Sequence, residues 1–140
     1  MKILFDTNVI LDVLLQRQPF YQDSFRIFQF VDDESVNGCL TATTITDIFY
    51  MLRKAGYSPA EVYLIIDELV GLFTVAPVID ITIASALALR WKDFEDAVQC
   101  MVAEENEVAY IITRDTAGYE KSSIPCMTPA EFILSFEKQE

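Results

Sequence analysis

Histidine is absent from all 140 residues. That absence removes Ser-His and Cys-His nucleophiles, histidine general bases and nearly every zinc site. Cysteine is scarce: Cys39, Cys100 and Cys126 are odd in number, lack any C-x-x-C spacing and sit among small or apolar neighbours. They read as buried reduced thiols, which agrees with a reducing compartment. Cations are few, 10 Lys and Arg against 22 Asp and Glu, for a formal charge of −12. Such a balance opposes a generic nucleic-acid binder with a basic face. Long apolar runs are missing too. None approaches the roughly 18 residues of a membrane span, and the amino end reaches Asp6 too soon for a signal peptide's apolar stretch. The expectation is a cytoplasmic protein without membrane association. Any hydrolytic chemistry must then run on carboxylates, hydroxyls, Lys or Arg, or a metal.

What is present is enough apolar material for a core, 52% of the chain, and a length that fits one domain over residues 1–140. Strand and helix patterns alternate without repeats or a linker. Ile3-Leu4-Phe5 is a short apolar strand ending at the cap-like cluster Asp6-Thr7-Asn8. A helix follows from about Val9 to Leu15, then one from about Tyr21 to Val31 with an apolar stripe of Tyr21, Phe25 and Phe28. Asn37-Gly38 reads as a turn into the strand Cys39-Leu40-Thr41, and Thr43 or Thr44 as the cap of a helix that ends at Gly56. Ser58-Pro59-Ala60-Glu61 is a capping-box start. The helix it opens gives way to a strand near Leu72–Val75. Helices over about Ile81–Trp91 and Asp93–Glu105 precede the apolar strand Ala109–Ile112. A last strand, Pro125–Met127, leads through Thr128-Pro129-Ala130-Glu131 into a terminal helix. Short all-apolar strands separated by helices imply an α/β fold, a parallel sheet covered on both faces.

In such sheets the site forms outside the carboxyl ends of the strands, and that rule selects among the acids. Asp6 follows the first strand, Asp115 closes the Ile111 strand, Asp47 lies early in the helix after the Cys39 strand, and Asp96 is in the first turn of its helix with Asp93 beside it. Each has a structural alternative. Asp6 and Asp93 are placed to cap helices, Asp115 to make a turn before Gly118, and Asp47 to face solvent. Their joint placement favours a site, because grouped anions without a cation are costly and raise one another's pKa. Hard oxygen ligands of this kind suit Mg²⁺ or Mn²⁺. Such ions bridge a phosphodiester, acidify a bound water and stabilise the leaving oxygen, with no histidine required. The acidic total is then less of an objection: distant charges are screened beyond about 8 Å, and bound cations cancel the site's own share. Basic residues lie close in sequence only at Arg53-Lys54, Arg90 and Lys92, the candidates for substrate backbone contacts. Arg114 is placed either to touch phosphate or to pair with a neighbouring acid.

Asp6-Thr7-Asn8-Val9-Ile10-Leu11-Asp12 resembles the opening motif of PIN-domain nucleases, common as the toxin half of bacterial VapBC toxin–antitoxin pairs. Asp93-Phe94-Glu95-Asp96-Ala97-Val98-Gln99 is similar to that family's third acidic motif, and Ile111-Ile112-Thr113-Arg114-Asp115 to its closing Thr-x-Asp. The stretch from Ile124 to Phe132 resembles the end of many such chains. The likeness covers essentially the whole length, in order. It implies a PIN-like three-layer fold with a short central parallel sheet, and a metal-dependent endoribonuclease acting on RNA. It also implies a homodimer and inhibition by a small antitoxin. By position, Asp6, Asp96 and Asp115 would bind the metal directly or through water, and Asn8 and Thr113 would hold carboxylates or waters in place. The family's second acid is commonly Glu. Here Thr44-Ile45-Thr46-Asp47 offers an Asp, one methylene shorter, which favours a water-mediated contact. A PIN-like binding or assembly module with a weakened metal site is the alternative.

Overall fold

The computed structural model describes residues 1–138; residues 139 and 140, the end of the expected domain, lie outside the described residues. The chain runs β1 (Lys2–Phe5), α1 (Thr7–Leu14), α2 (Tyr21–Asp32), β2 (Asn37–Thr41), α3 (Ala42–Lys54), α4 (Pro59–Leu72) and β3 (Thr74–Ala76). It continues through α5 (Asp80–Leu89), α6 (Phe94–Glu105), β4 (Tyr110–Ile112), a 3₁₀ turn (Thr116–Tyr119), β5 (Cys126–Met127) and α7 (Pro129–Lys138). The strands form one parallel sheet in the order β3-β2-β1-β4-β5. No described helix is long and apolar enough to cross a membrane.

Side chains alternate across a strand, so β1 feeds two cores. Ile3 and Phe5 pack with residues of α1, α2, α3, α4 and α7, whereas Leu4 joins Cys39, Ala103, Ile111 and Tyr119 on the opposite face. Helices α5 and α6 complete that second face around Ala86, Ala97, Val98 and Val102. Ile3, Leu4 and Phe5 are each fully buried. A strand with both faces covered has to be apolar throughout, which is why this run does not alternate with polar residues. The three layers expected from the pattern are therefore present.

Helix ends follow local chemistry. Ser58 and Glu61 form the reciprocal capping box. Thr128 and Glu131 repeat it at α7. Gly56 takes the left-handed φ of 105° that lets the chain leave α3. The cap of α3 is Thr41, whose Oγ1 accepts from Thr44 N at 3.3 Å. The expected caps Thr43 and Thr44 thus lie inside the helix, because the strand runs straight into it. Helix α5 stops at Leu89, with Arg90 left-handed at φ 55°, so it is shorter than the Ile81–Trp91 reading.

Two further expectations are corrected. The aromatic stripe of α2 divides: Phe28 packs edge-on against Phe5 and Phe73, while Tyr21 and Phe25 stack on one another and Phe25 is 41% exposed. The buried face is instead Ser24, Ile27, Phe30 and Val31. Asn37-Gly38 is not a turn but the start of β2, paired with Lys2 and Ile3. Glycine is needed at 38 for space, since a Cβ there would stand 2.7 Å from the Phe73 ring and 2.9 Å from Val31. Overpacking of this kind typically costs about 1–3 kcal/mol. Urea unfolding of Gly38→Ala is expected to show a loss in that range; stability equal to the parent chain would refute the steric account.

Candidate active site

The parallel register sets the site. Phe5 is level with Ile112 in the neighbouring strand, so the residues that follow, Asp6 and Thr113, leave the sheet side by side. Thr113 Oγ1 donates to Asp6 Oδ2 at 2.9 Å and accepts from Asp115 N at 3.1 Å. One buried hydroxyl thus ties the carboxylate after β1 to the turn after β4. From the next element, α6, Asp93 caps the helix by accepting from Asp96 N at 3.1 Å. Asp93 also lines the cavity, so capping and membership of the site are compatible. Asp96 then projects from the first turn.

These elements enclose a cavity of about 650 Å³. Six carboxylates line it, Asp6, Asp47, Asp93, Glu95, Asp96 and Asp115, and among the described residues no Lys or Arg does. Burial raises Asp6, only partly offset by its hydrogen bonds from Thr113 and the Thr7 backbone. Burial, then the charges of Asp6, Asp93 and Asp115, push Asp96 up to about 7. Burial alone raises Asp47. Glu95 is raised by burial and then by Asp47, Asp93 and Asp6. Asp47 and Glu95 both line the cavity and the Asp47 charge is felt at Glu95, a carboxylate that reasoning from the sequence did not select.

Beneath the acids lies a hydroxyl and amide floor. Thr44 Oγ1 lies 2.9 Å from both Thr7 Oγ1 and Thr41 Oγ1, and receives Gln99 Nε2 at 3.2 Å. The other amide atom, Gln99 Oε1, is buried without a partner. Gln99 had one signal in the sequence: a polar residue in an otherwise apolar run, three positions after Asp96 and so on the same helix face. Tyr119 had none. It is 3% exposed and packs edge-on against Trp91, with its hydroxyl beside the Asp6 and Asp96 carboxylates. That hydroxyl is buried without a hydrogen-bond partner, yet near enough to both acids to lower their pKa. Burial and the two acids in turn push the phenol far up.

Asn8 lines the cavity from the first turn of α1. The basic residues lie elsewhere. Arg114 Nε is 2.8 Å from Asp12 Oδ2, and its guanidinium lies 4.2 Å from the Phe20 ring centre. Of the two placements open to Arg114, the structure thus has it paired with an acid. Asp12 is fully buried, raised by burial and drawn back by Arg114 and Arg17. Arg53 donates to Tyr57 O at 3.0 Å, and Arg53 and Lys54 end α3 beyond the lining residues Tyr50 and Met51. Arg90 and Lys92 are exposed on the connection that leads into Asp93.

The donor set consists of hard oxygens, which suits Mg²⁺ or Mn²⁺. Among the described residues, no three Asp, Glu, Cys or His side chains converge closely enough to enclose a metal ion by themselves. Mg²⁺ does not require such a cage, because it keeps several waters and commonly takes one or two carboxylates plus phosphate oxygens. An open cavity with surplus negative charge fits that mode.

A sequence model of the PIN domain matches residues 2–117. No curated protein matches the chain. Among solved structures, a chain of a toxin–antitoxin complex from Klebsiella pneumoniae is 20% identical, with 91% of this chain and 97% of that chain covered and a TM-score of 0.67. A chain of FitAcB from Neisseria gonorrhoeae is 19% identical, with 91% and 98% covered and a TM-score of 0.63. A chain of VapBC2 from Rickettsia felis, bound to a DNA fragment from their promoter, is 9% identical, with 91% and 98% covered and a TM-score of 0.69. At these identities the structural likeness speaks for the fold.

Two measurements follow. Asp96 is raised to about 7 when folded and lies near 4 when unfolded. Between those values the folded state holds more protons, so its contribution to stability is complete below about pH 4 and is lost as pH rises through about 7. Asp6, Asp47 and Glu95 act in the same direction. In EDTA, Tm is expected to fall between about pH 5.5 and about pH 8, and Asp96→Asn to flatten the fall; a Tm that rises over that span would contradict the burial argument. Arg114→Ala would leave Asp12 buried without its nearest cation, a change that typically costs about 3–5 kcal/mol. Denaturant unfolding within about 1 kcal/mol of the parent would show that the pair does not hold the turn.

Proposed function

The chain belongs to the PIN-domain family, and from that premise we propose that it is a divalent-metal-dependent endoribonuclease, the toxin of a toxin–antitoxin pair. The observation that carries the reading is the cavity with six carboxylates and no lining cation, one of them pushed up to about 7. Such a group is electrostatically incomplete, and a divalent cation with a phosphodiester completes it. When bound, Mg²⁺ or Mn²⁺ would polarise the phosphate, supply a nucleophilic water and stabilise the leaving oxygen.

In this reading Asp6, Asp96 and Asp115 hold the cation. Asp47 would contribute through water, with Glu95 lining the same cavity. Asp93 caps α6 with one oxygen, which accepts from Asp96 N and fixes the first turn that carries Asp96. Thr113 fixes the Asp6 carboxylate and orders the backbone at Asp115. Asn8 offers an amide to water or phosphate. The cavity cannot attract a polyanion by its own charge, so substrate backbone contacts fall to exposed cations outside it. Arg90 and Lys92, next to Asp93 in the chain, suit that role better than Arg53 and Lys54, and Arg114 serves Asp12 instead. The toxin role rests on the toxin–antitoxin pairs among the structural neighbours. A homodimer and a small antitoxin partner belong to the same proposal, as does action in the cytoplasm on RNA.

The test is cleavage of single-stranded RNA with Mg²⁺ or Mn²⁺. Asp6→Asn and Asp96→Asn are each expected to lower the rate by at least about a hundredfold, more than loss of an outer partner of a metal ligand commonly costs. Chelation by EDTA is expected to stop it; equal cleavage with EDTA would sink the proposal. One observation favours a second reading, a binding or assembly module with a weakened site: the Asp47 charge acts on Glu95 and does not figure among those acting on Asp6 or Asp96. Absence of Mn²⁺ binding at millimolar concentration in calorimetry would favour that module.

A further inference from the structure

We propose that the 3₁₀ turn Thr116–Tyr119 positions the Asp96 carboxylate, Gly118 by making room for it and Tyr119 by offering a buried, unpartnered hydroxyl next to it. The inference rests on the reading that Asp6, Asp96 and Asp115 ligate a divalent cation, and it gives that site an outer layer.

Gly118 is the first observation. Gly56 is the glycine with a positive φ; Gly118 is not in the left-handed region, so the turn's backbone does not call for glycine. The space around it does. A Cβ at 118 would stand 2.6 Å from Asp96 Oδ2 and 3.6 Å from Asp115 Oδ2. The Asp96 carboxylate therefore rests directly on the glycine, with Asp115 next to it. Any side chain at 118 must swing the Asp96 carboxylate away.

Tyr119 is an independent observation. Its ring is fixed by Trp91 at 6.3 Å, edge-on, and by the core of Leu4, Cys39, Ala103 and Ile111. Phenylalanine would satisfy all of that packing. The hydroxyl is what packing does not explain, because burying one without a well-aligned partner is unfavourable. The acidic groups acting on it are Asp6, Asp96 and Cys126. A rigid neutral donor close to two carboxylates can orient them without competing for a cation. Partners of this kind, one shell behind a metal ligand, commonly set affinity by a factor of about 10–100.

Tyr119→Phe and Gly118→Ala are to be compared with the parent chain by Mn²⁺ calorimetry and thermal melting. Tyr119→Phe is expected to fold and melt like the parent chain and to bind Mn²⁺ about 10–100-fold more weakly. Gly118→Ala is expected to weaken binding likewise; should it fail to fold, Tyr119→Phe decides. The metal-free protein provides a second readout, the Tyr119 hydroxyl proton in the NMR spectrum. It is expected to exchange slowly and to move upfield in Asp96→Asn, whose neutral amide is a weaker acceptor. Parent-like Mn²⁺ affinity in Tyr119→Phe would overturn the proposal. If the parent chain binds no Mn²⁺, the cation reading fails separately and the hydroxyl proton alone decides: a shift in Asp96→Asn upholds the Tyr119–Asp96 contact, and an unmoved resonance overturns it.

Discussion

Repulsion among partly desolvated carboxylates is the constraint to which the rest of the structure answers. Asp6, Asp93, Glu95, Asp96 and Asp115 would separate if the chain were free to let them. They are held by elements whose stability comes from elsewhere: the fully buried Ile3-Leu4-Phe5 strand, its parallel pairing with β2 and β4, and the packing of α6 on the sheet. Hydrophobic burial on both faces of the sheet offsets the electrostatic cost at its carboxyl edge.

How the cations are placed sharpens the point. Arg114 lies between two site residues in the chain, Thr113 and Asp115, yet its guanidinium turns to the buried Asp12 and to Phe20. That contact anchors the turn carrying Asp115 while leaving the cavity without an internal counter-charge. Hydrogen bonds such as that from Thr113 relieve part of the strain on the acids, and protonation or, in the proposed reading, a cation from solution relieves the rest. A ligand that binds the folded state alone also stabilises it by mass action, so occupancy of the site and stability of the fold are coupled.

The fold was largely legible, since all-apolar strands alternating with capped helices leave few alternatives to a covered parallel sheet. The errors came where packing overrode a local signal. Asn37-Gly38 has turn chemistry but lies in β2, paired with Lys2 and Ile3, and its glycine is needed because Phe73 and Val31 occupy the space above it. Phe25 has the spacing of a core residue but lies on the open side of α2. Thr41 caps α3 because the strand feeds the helix without a loop. At the site, Asp6, Asp96 and Asp115 were visible as acids at strand ends and helix starts. Glu95 shares the first turn of α6 with Asp96 but was not singled out, Gln99 had only its place on the Asp96 face as a signal, and Tyr119 had none.

From residue order alone came the absence of histidine, the acids that follow apolar strands, and the resemblance that joins the three motifs. Those features determine which chemistry is available and at which edge of the sheet it sits. Only the tertiary structure decided which neighbours each acid meets: Asp96 on Gly118 with Tyr119 next to it, Asp47 and Glu95 lining one cavity, and Arg114 turned away to Asp12. The physical reason is the range of the interactions. Strand and cap signals act over a few residues of chain, whereas burial and charge act through space and depend on parts as far apart in sequence as Asp6 and Thr113.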